Sequence, residues 1–218
     1  KQIVRSNRKT ISLQVNKEGD LIVRCPKRVS LSYLENLISR KTAWILEKKK
    51  KFLEVLDLLE GKFDNKKSFL YLGQKYQLNF TENCESEFFF QDGFFISKNH
   101  KLKPKEMVIK FYQQKAEDII FPRVEFFADK HGFKYGKIRL SNAIGHFGSC
   151  NGKNTLSFSW RLMMAPADVI DYVVVHEISH IAQKNHSKDF WKLVEEILPN
   201  YRDSKKWLKE NGKILMRF

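Results

Sequence analysis

The sequence predicts an α+β fold in two parts, on three observations. Residues 1–100 alternate short strand-like runs with turn residues around one long amphipathic stretch, whereas residues 101–218 change to mainly helical spacing. Late in that second part an apolar helical run ends in His176-Glu177-Ile178-Ser179-His180. A chain of 218 residues, 42% hydrophobic, has enough apolar side chain to bury a substantial core.

In the first part, Ile11–Val15 and Leu21–Cys25 read as strands joined by Asn16-Lys17-Glu18-Gly19-Asp20, and so as a hairpin. Pro26 ends the second strand. Ser30 is placed to cap a helix that runs to about Leu59, with Leu34, Leu37, Ile38, Ile45, Phe52 and Leu56 near helical spacing and Gly61 as its stop. Lys48 to Lys51 cover every side of that helix, which suits a solvated surface better than a phosphate-binding stripe. Phe69–Leu72, Lys75–Phe80, Phe88–Phe90 and Phe94–Ile96 follow as antiparallel strands, the last pair closed by a type I′ turn at Asp92-Gly93. Their aromatic rings are expected in a core rather than stacked on nucleic-acid bases.

In the second part Pro104 begins a helix that Pro122 is expected to kink or split and Gly132 to stop. Lys137–Ser141 and Asn154–Leu162 are strands; in the latter Leu156, Phe158 and Trp160 face a core and Thr155, Ser157 and Ser159 face water. Asn151-Gly152 between them favours a tight turn. Pro166 opens the motif helix, and another helix spans about Lys188 to Leu198.

Two histidines four apart on a helix are separated by about 40° around its axis and about 6 Å along it, so His176 and His180 can both meet one ion. Glu177, one step round, is placed to act as general base on a water at that ion. His-Glu-x-x-His on a helix is the zincin signature. It predicts a zincin-like C-terminal domain of a kinked helix, antiparallel strands, the motif helix and C-terminal helices, holding one Zn2+.

A catalytic zinc requires a third protein ligand, and His186 is the leading candidate. Were the helix to continue, His186 would lie about 9 Å further on and about 240° round, facing away, so the helix must stop after His180. Proteases with this ligand spacing place glycine three residues after the second histidine. Gln183 stands there, and a left-handed Asn185 is expected to turn the chain instead. Glu195 and Glu196 are the rival ligands, disfavoured by their place off the apolar stripe of their helix, and Cys150 is a weaker rival still. His146 and Tyr201 are candidate substrate or oxyanion contacts.

Three widely spaced cysteines, Cys25, Cys84 and Cys150, without a Cys-x-x-Cys, predict reduced thiols and a cytoplasmic setting. No run of apolar residues is long enough to span a membrane, and no signal peptide is in view. The net charge of +15 is spread along the chain rather than gathered in a tail. Solvated lysines explain most of it, and nucleotides or nucleic acid are the partners it would favour beside a polypeptide substrate.

Several segments together resemble the YgjP-like metallopeptidase-domain family: Gly148-Ser149-Cys150, Trp160-Arg161-Leu162, Ala165-Pro166, Val169 to Val174, the histidine motif, and Asn185-His186-Ser187 with Phe190-Trp191. A looser match takes in Arg5 to Lys9, the hairpin ending at Pro26, and Trp44. The resemblance implies His176, His180 and His186 as metal ligands and Glu177 as catalytic base. It also implies kinship with SprT-like and WLM proteases, some of which act on proteins attached to DNA. The family usually has Arg-Trp before Gly-Ser-Cys, where this chain has His146-Phe147.

The expected activity is therefore zinc-dependent peptide hydrolysis. Two alternatives share the site: a nucleotide phosphohydrolase, which lacks a Gly-rich phosphate loop here, and a non-catalytic, nucleic-acid-associated metal-binding module.

Overall fold

The computed structural model describes residues 2–15, 20–47, 49–50, 67–82, 86–99 and 103–218. They form two compact units, Lys1–Glu60 and Gly61–Phe218. The boundary expected at residue 101 therefore lies inside the second unit. The switch from strands to helix marks a change of element, and the two element types share one core.

In the first unit β1 (Gln2–Ser6), β2 (Ser12–Val15) and β3 (Leu21–Pro26) form a sheet in the order β1-β3-β2. β2 and β3 pair antiparallel as the hairpin requires, while β1 adds in parallel, so the sheet is mixed rather than wholly antiparallel. Leu21, Val23 and Cys25, alternate residues of β3, are buried with Leu34 and Ile45. Arg5 donates to the carbonyls of Lys27 and Val29 and so fastens β1 to the bend after β3. Helix α1 (Leu31–Arg40) begins at the Ser30 cap, whose hydroxyl accepts the amide of Tyr33 at 3.3 Å. It closes at Lys41, and residues 42–47 are again helical, so the single long helix is interrupted. Its expected end near Leu59 and stop at Gly61 lie outside the described residues, as do Cys84 and the hairpin turn at residues 16–19.

The second unit opens with β4 (Ser68–Tyr71), β5 (Gln74–Thr81), β6 (Phe88–Phe90) and β7 (Phe94–Ser97), ordered β4-β5-β7-β6. β5 and β7 pair in parallel, which corrects the all-antiparallel expectation. β7 takes the inner place because Phe94 and Ile96 are fully buried, while β6 is only half-buried at each residue. The two-residue turn with positive φ at both positions is Leu72-Gly73, at 48° and 81°, as a type I′ turn requires. At Asp92-Gly93, where it was expected, a three-residue loop carries positive φ only at Asp92.

Helix α2 (Pro104–His131) is one span that Pro122 does not split. Pro122 and Asp118, whose carbonyl loses its partner, both face solvent, where water can replace the missing hydrogen bond. The opposite face, Tyr112, Ala116, Ile120, Val124 and Ala128, recurs every fourth residue and is buried. Gly132 ends the helix in the left-handed conformation at φ 71°. Buried Tyr112 stacks on Trp160 with 6.1 Å between ring centres and donates its hydroxyl to the Leu70 carbonyl, which joins the strand layer to the helices. The aromatic strand residues thus serve a core, with Phe69 and Phe94 at most 1% exposed.

β8 (Ile138–Ser141), β9 (Gly148–Cys150) and β10 (Leu156–Ser159) form a second small sheet ordered β8-β10-β9. β10 is central, parallel to β8 and antiparallel to β9. It stops at Ser159 because Trp160–Met164 wind into a 3-10 turn, so the expected strand to Leu162 is shorter. Between β9 and β10 a longer loop contains the expected tight turn at Asn151-Gly152, the amide of Asn154 bonding the carbonyl of Asn151 at 2.9 Å, and Asn151 Oδ1 accepts the amides of Lys153 and Thr155, each at 2.9 Å. The motif helix α3 (Ala167–Ala182) follows, then α4 (Lys188–Ile197) and α5 (Tyr201–Leu215). Arg123 of α2 meets Asp171 at 2.8 Å, and Ser204 of α5 meets Asp168 at 3.3 Å, so α3 is held from two sides.

Candidate metal centre

The apolar run before the motif buries α3, with Val169, Ile170, Val173, Val174, Val175 and Ile178 at most 3% exposed. Its period leaves His176 and His180 on one side, with ring centres 5.0 Å apart. The helix ends at Ala182, and Gln183 takes an extended conformation at φ −124° and ψ 98°. The chain then bends back, the amide of Ser187 bonding the carbonyl of Asn185 at 2.8 Å. His186 is thereby delivered to the other two, its Nε2 lying 3.0 Å from Nε2 of His176.

A left-handed Asn185 is not what makes this turn. Among the described non-glycine residues positive φ occurs at Leu72, Asp92 and Asn154. The extended backbone at Gln183 already redirects the chain, and it brings the Gln183 carbonyl within 2.9 Å of Nδ1 of His180. A proton on that Nδ1 leaves Nε2 as the lone-pair nitrogen facing the other two rings.

Helix α4 supports the triad. Ser187 caps it, accepting the amide of Phe190 at 3.3 Å. The ring of Phe190, fully buried, stands 4.9, 4.5 and 4.8 Å from those of His176, His180 and His186. Trp191 adds contacts to His176 and His186, and Tyr201 stacks between Trp191 and Tyr172.

The residues fit zinc. Three nitrogens on one tetrahedral ion at about 2.0–2.1 Å stand about 3.3 Å from one another. One donor atom from each of His176, His180 and His186 lies within 4.8 Å of the others. Burial, followed by the neighbouring histidines and Lys205, pushes His176 down to about 3, so its imidazole is neutral, the form that binds a metal. Its Nδ1 is buried without a hydrogen-bond partner.

Glu177 is 6% exposed, and burial pushes its carboxyl up to about 8. Against it lies the backbone of β9. A Cβ on Gly148 would stand 2.5 Å from Cγ and 2.7 Å from Oε1 of Glu177, so only glycine lets the two elements approach this closely.

The rival ligands are engaged elsewhere. Glu195 pairs with Arg202 at 2.9 Å, Glu196 lies 3.8 Å from Lys192, and the half-buried Cys150 thiol lies 3.7 Å from the carbonyl of Asn151. His146 is exposed on the loop before β9, and no hydrogen bond or ring contact joins it to the triad among the described residues. Tyr201 is buried in the stack behind the histidines. Sequence reasoning placed Phe190 and Trp191 on an apolar stripe without showing that they would brace the triad. The Gly148 contact with Glu177 had no signal beyond the Gly-Ser-Cys run.

The model of the YgjP-like metallopeptidase domain matches residues 9–211. The chain belongs to that family. A YgjP-like protein is, at the level of the family, a metal-dependent peptidase, with polypeptide as its substrate class. No curated protein matches the chain. Among solved structures it is similar to the metallopeptidase zymogen of Pyrococcus abyssi abylysin, at 18% identity and a TM-score of 0.39, over 43% of this chain and 96% of that one. No helix among the described residues of this YgjP-like chain is long and apolar enough to cross a membrane.

Proposed function

We propose that the protein is a zinc-dependent peptidase with a zincin-like second unit, in which His176, His180 and His186 hold one zinc ion and Glu177 is the general base. The observation that carries this is the convergence of three imidazoles, two of them on α3, beside the buried carboxylate of that helix. Bound zinc supplies Lewis acidity, which brings the pKa of a water to about 7 and polarises a carbonyl. Glu177 then removes the proton of the attacking water and returns it to the departing amine. A cation at the triad favours the ionised carboxylate that the first of these transfers needs.

A substrate strand cannot add to β10, which has a neighbour on each side. β9 is the edge. The carbonyl of Phe147 and the amide of Asn151 bond toward β10, so the peptide groups of Gly148 and Cys150 point to the other side, where an extended polypeptide can pair beside Glu177.

The test is incubation of the zinc-loaded parent and its Glu177→Gln variant with a reduced, alkylated polypeptide. The parent is expected to release fragments and the variant to retain zinc but release none. Equal fragmentation by both removes Glu177 from the mechanism.

A further inference from the structure

Resting on the peptidase reading, we propose that a cleft beside the triad is a subsite for a large apolar side chain followed by acidic residues of a polypeptide. The cleft encloses about 430 Å³, within the range of about 300–1,000 Å³ usual for ligand clefts. Its walls are Tyr172 of α3, Ile144 and Phe147 of the loop before β9, and Leu208, Gly212 and Met216 of α5. A Cβ on Gly212 would stand 2.8 Å from the Phe147 ring, so this glycine lets the ring settle against the helix and form an apolar floor.

Lys205, Lys209 and Lys213 line the same cleft, four residues apart and hence on one face of α5. All three are exposed, and no carboxylate pairs with them among the described residues. Like charges on successive turns repel, and an anionic occupant relieves that repulsion.

Each wall adjoins the reacting groups. The Tyr172 ring is 5.9 Å from that of His176. Lys205 Nζ lies 3.4 Å from the centre of the Trp191 ring, itself 5.7 Å from His186. Phe147 immediately precedes Gly148, which lies on Glu177. A strand paired with β9 therefore presents its next side chains to the apolar floor and then to the lysines. A concave apolar floor reached from a strand edge suits polypeptide better than the regularly spaced phosphates of nucleic acid.

Binding to the full-length, zinc-loaded Glu177→Gln protein tests this without turnover. Three blocked fluorescent peptides of equal length, differing only in a central Phe-Glu-Glu, Phe-Lys-Lys or Ala-Glu-Glu, are compared by anisotropy. The first is expected to bind about tenfold more tightly than either other peptide. Adding Lys209→Glu and Lys213→Glu reverses the preference between the first two. Adding Lys209→Gln and Lys213→Gln instead, a milder pair if the reversal unfolds the helix, makes them equal. Equal binding of all three by the Glu177→Gln protein, or an order unchanged by the lysine substitutions, overturns the proposal. So does displacement of the Phe-Glu-Glu peptide by oligothymidylate at lower concentration than by its own unlabelled form, which would assign the lysines to nucleic acid. The two readings fail separately: ordered binding with no cleavage by the parent leaves the subsite and removes the peptidase, whereas cleavage without preference for nearby acidic residues does the reverse.

Discussion

At the scale of single residues, Glu177 and Gly148 behave as a pair. Gly148→Ala has to move either β9 or the Glu177 side chain, because the added Cβ would lie 2.5 Å from Cγ. Its expected effect is a loss of kcat of at least about tenfold with zinc content unchanged, since the histidines are untouched. A variant with parental kcat would show that Glu177 does not need its seat under β9. His186→Ala leaves two ligands on α3, and zinc affinity measured by competition with a chelator is expected to fall by at least about a hundredfold. Unchanged affinity would send the search for the third ligand elsewhere.

The buried carboxyl also makes a signed pH prediction for the metal-free chain. Its folded-state pKa, raised to about 8 from 4.5, means that the folded chain keeps a proton which the unfolded chain has released between those values. That contribution favours the fold below about pH 4.5 and is lost as pH rises through about 8, with a slope of at most about 1.4 kcal/mol per pH unit. His176, with its lowered pKa, acts in the opposite sense, stabilising above the ordinary histidine range and losing this as pH falls. The difference in urea-unfolding free energy between parent and Glu177→Gln isolates the carboxyl. The parent is expected to lose more stability than the variant from about pH 5 to about pH 8.

At the scale of elements, period and punctuation made most strands and helices legible. Val23 and Cys25 alternate on β3, the every-fourth stripe marks the buried face of α2, and Ser30 and Gly132 mark helix ends where they were read. Pairing partners were not legible, because period two tells which face is buried and not which strand lies alongside. So β7 took an inner parallel place that chain order did not suggest. The type I′ turn was hidden for a similar reason. A leucine at φ 48° is not turn chemistry, and it is held by a hydrogen bond from its amide to the carbonyl of Met163, far along the chain. Pro122 gives a test at this scale. It is exposed and interrupts one hydrogen bond of α2, so Pro122→Ala is expected to raise the unfolding free energy by about 1–3 kcal/mol in denaturant melts. No change would mean that α2 has already adjusted to the proline.

At the scale of the whole molecule, the three histidines and Glu177 lie in the second unit, where α2 and α5 brace α3 and the aromatic layer closes the core. The three histidines that the structure brings together were legible because a four-residue helical spacing and a nearby third histidine are local features. Phe190 touching three imidazoles, Gly148 against Glu177 and the lysine-edged cleft depend on elements far apart in sequence, which no local pattern encodes. The charge of +15 was read as diffuse. Its ordered part is the row on α5, three lysines that share a cleft wall. The most direct measurement of the central claim is the initial cleavage rate of a quenched fluorescent peptide library by metal-free protein titrated with zinc. The expected rate rises linearly to one equivalent per chain, then levels, and is absent at every point for Glu177→Gln. Full activity before zinc is added, or a parental rate in the variant, would contradict it.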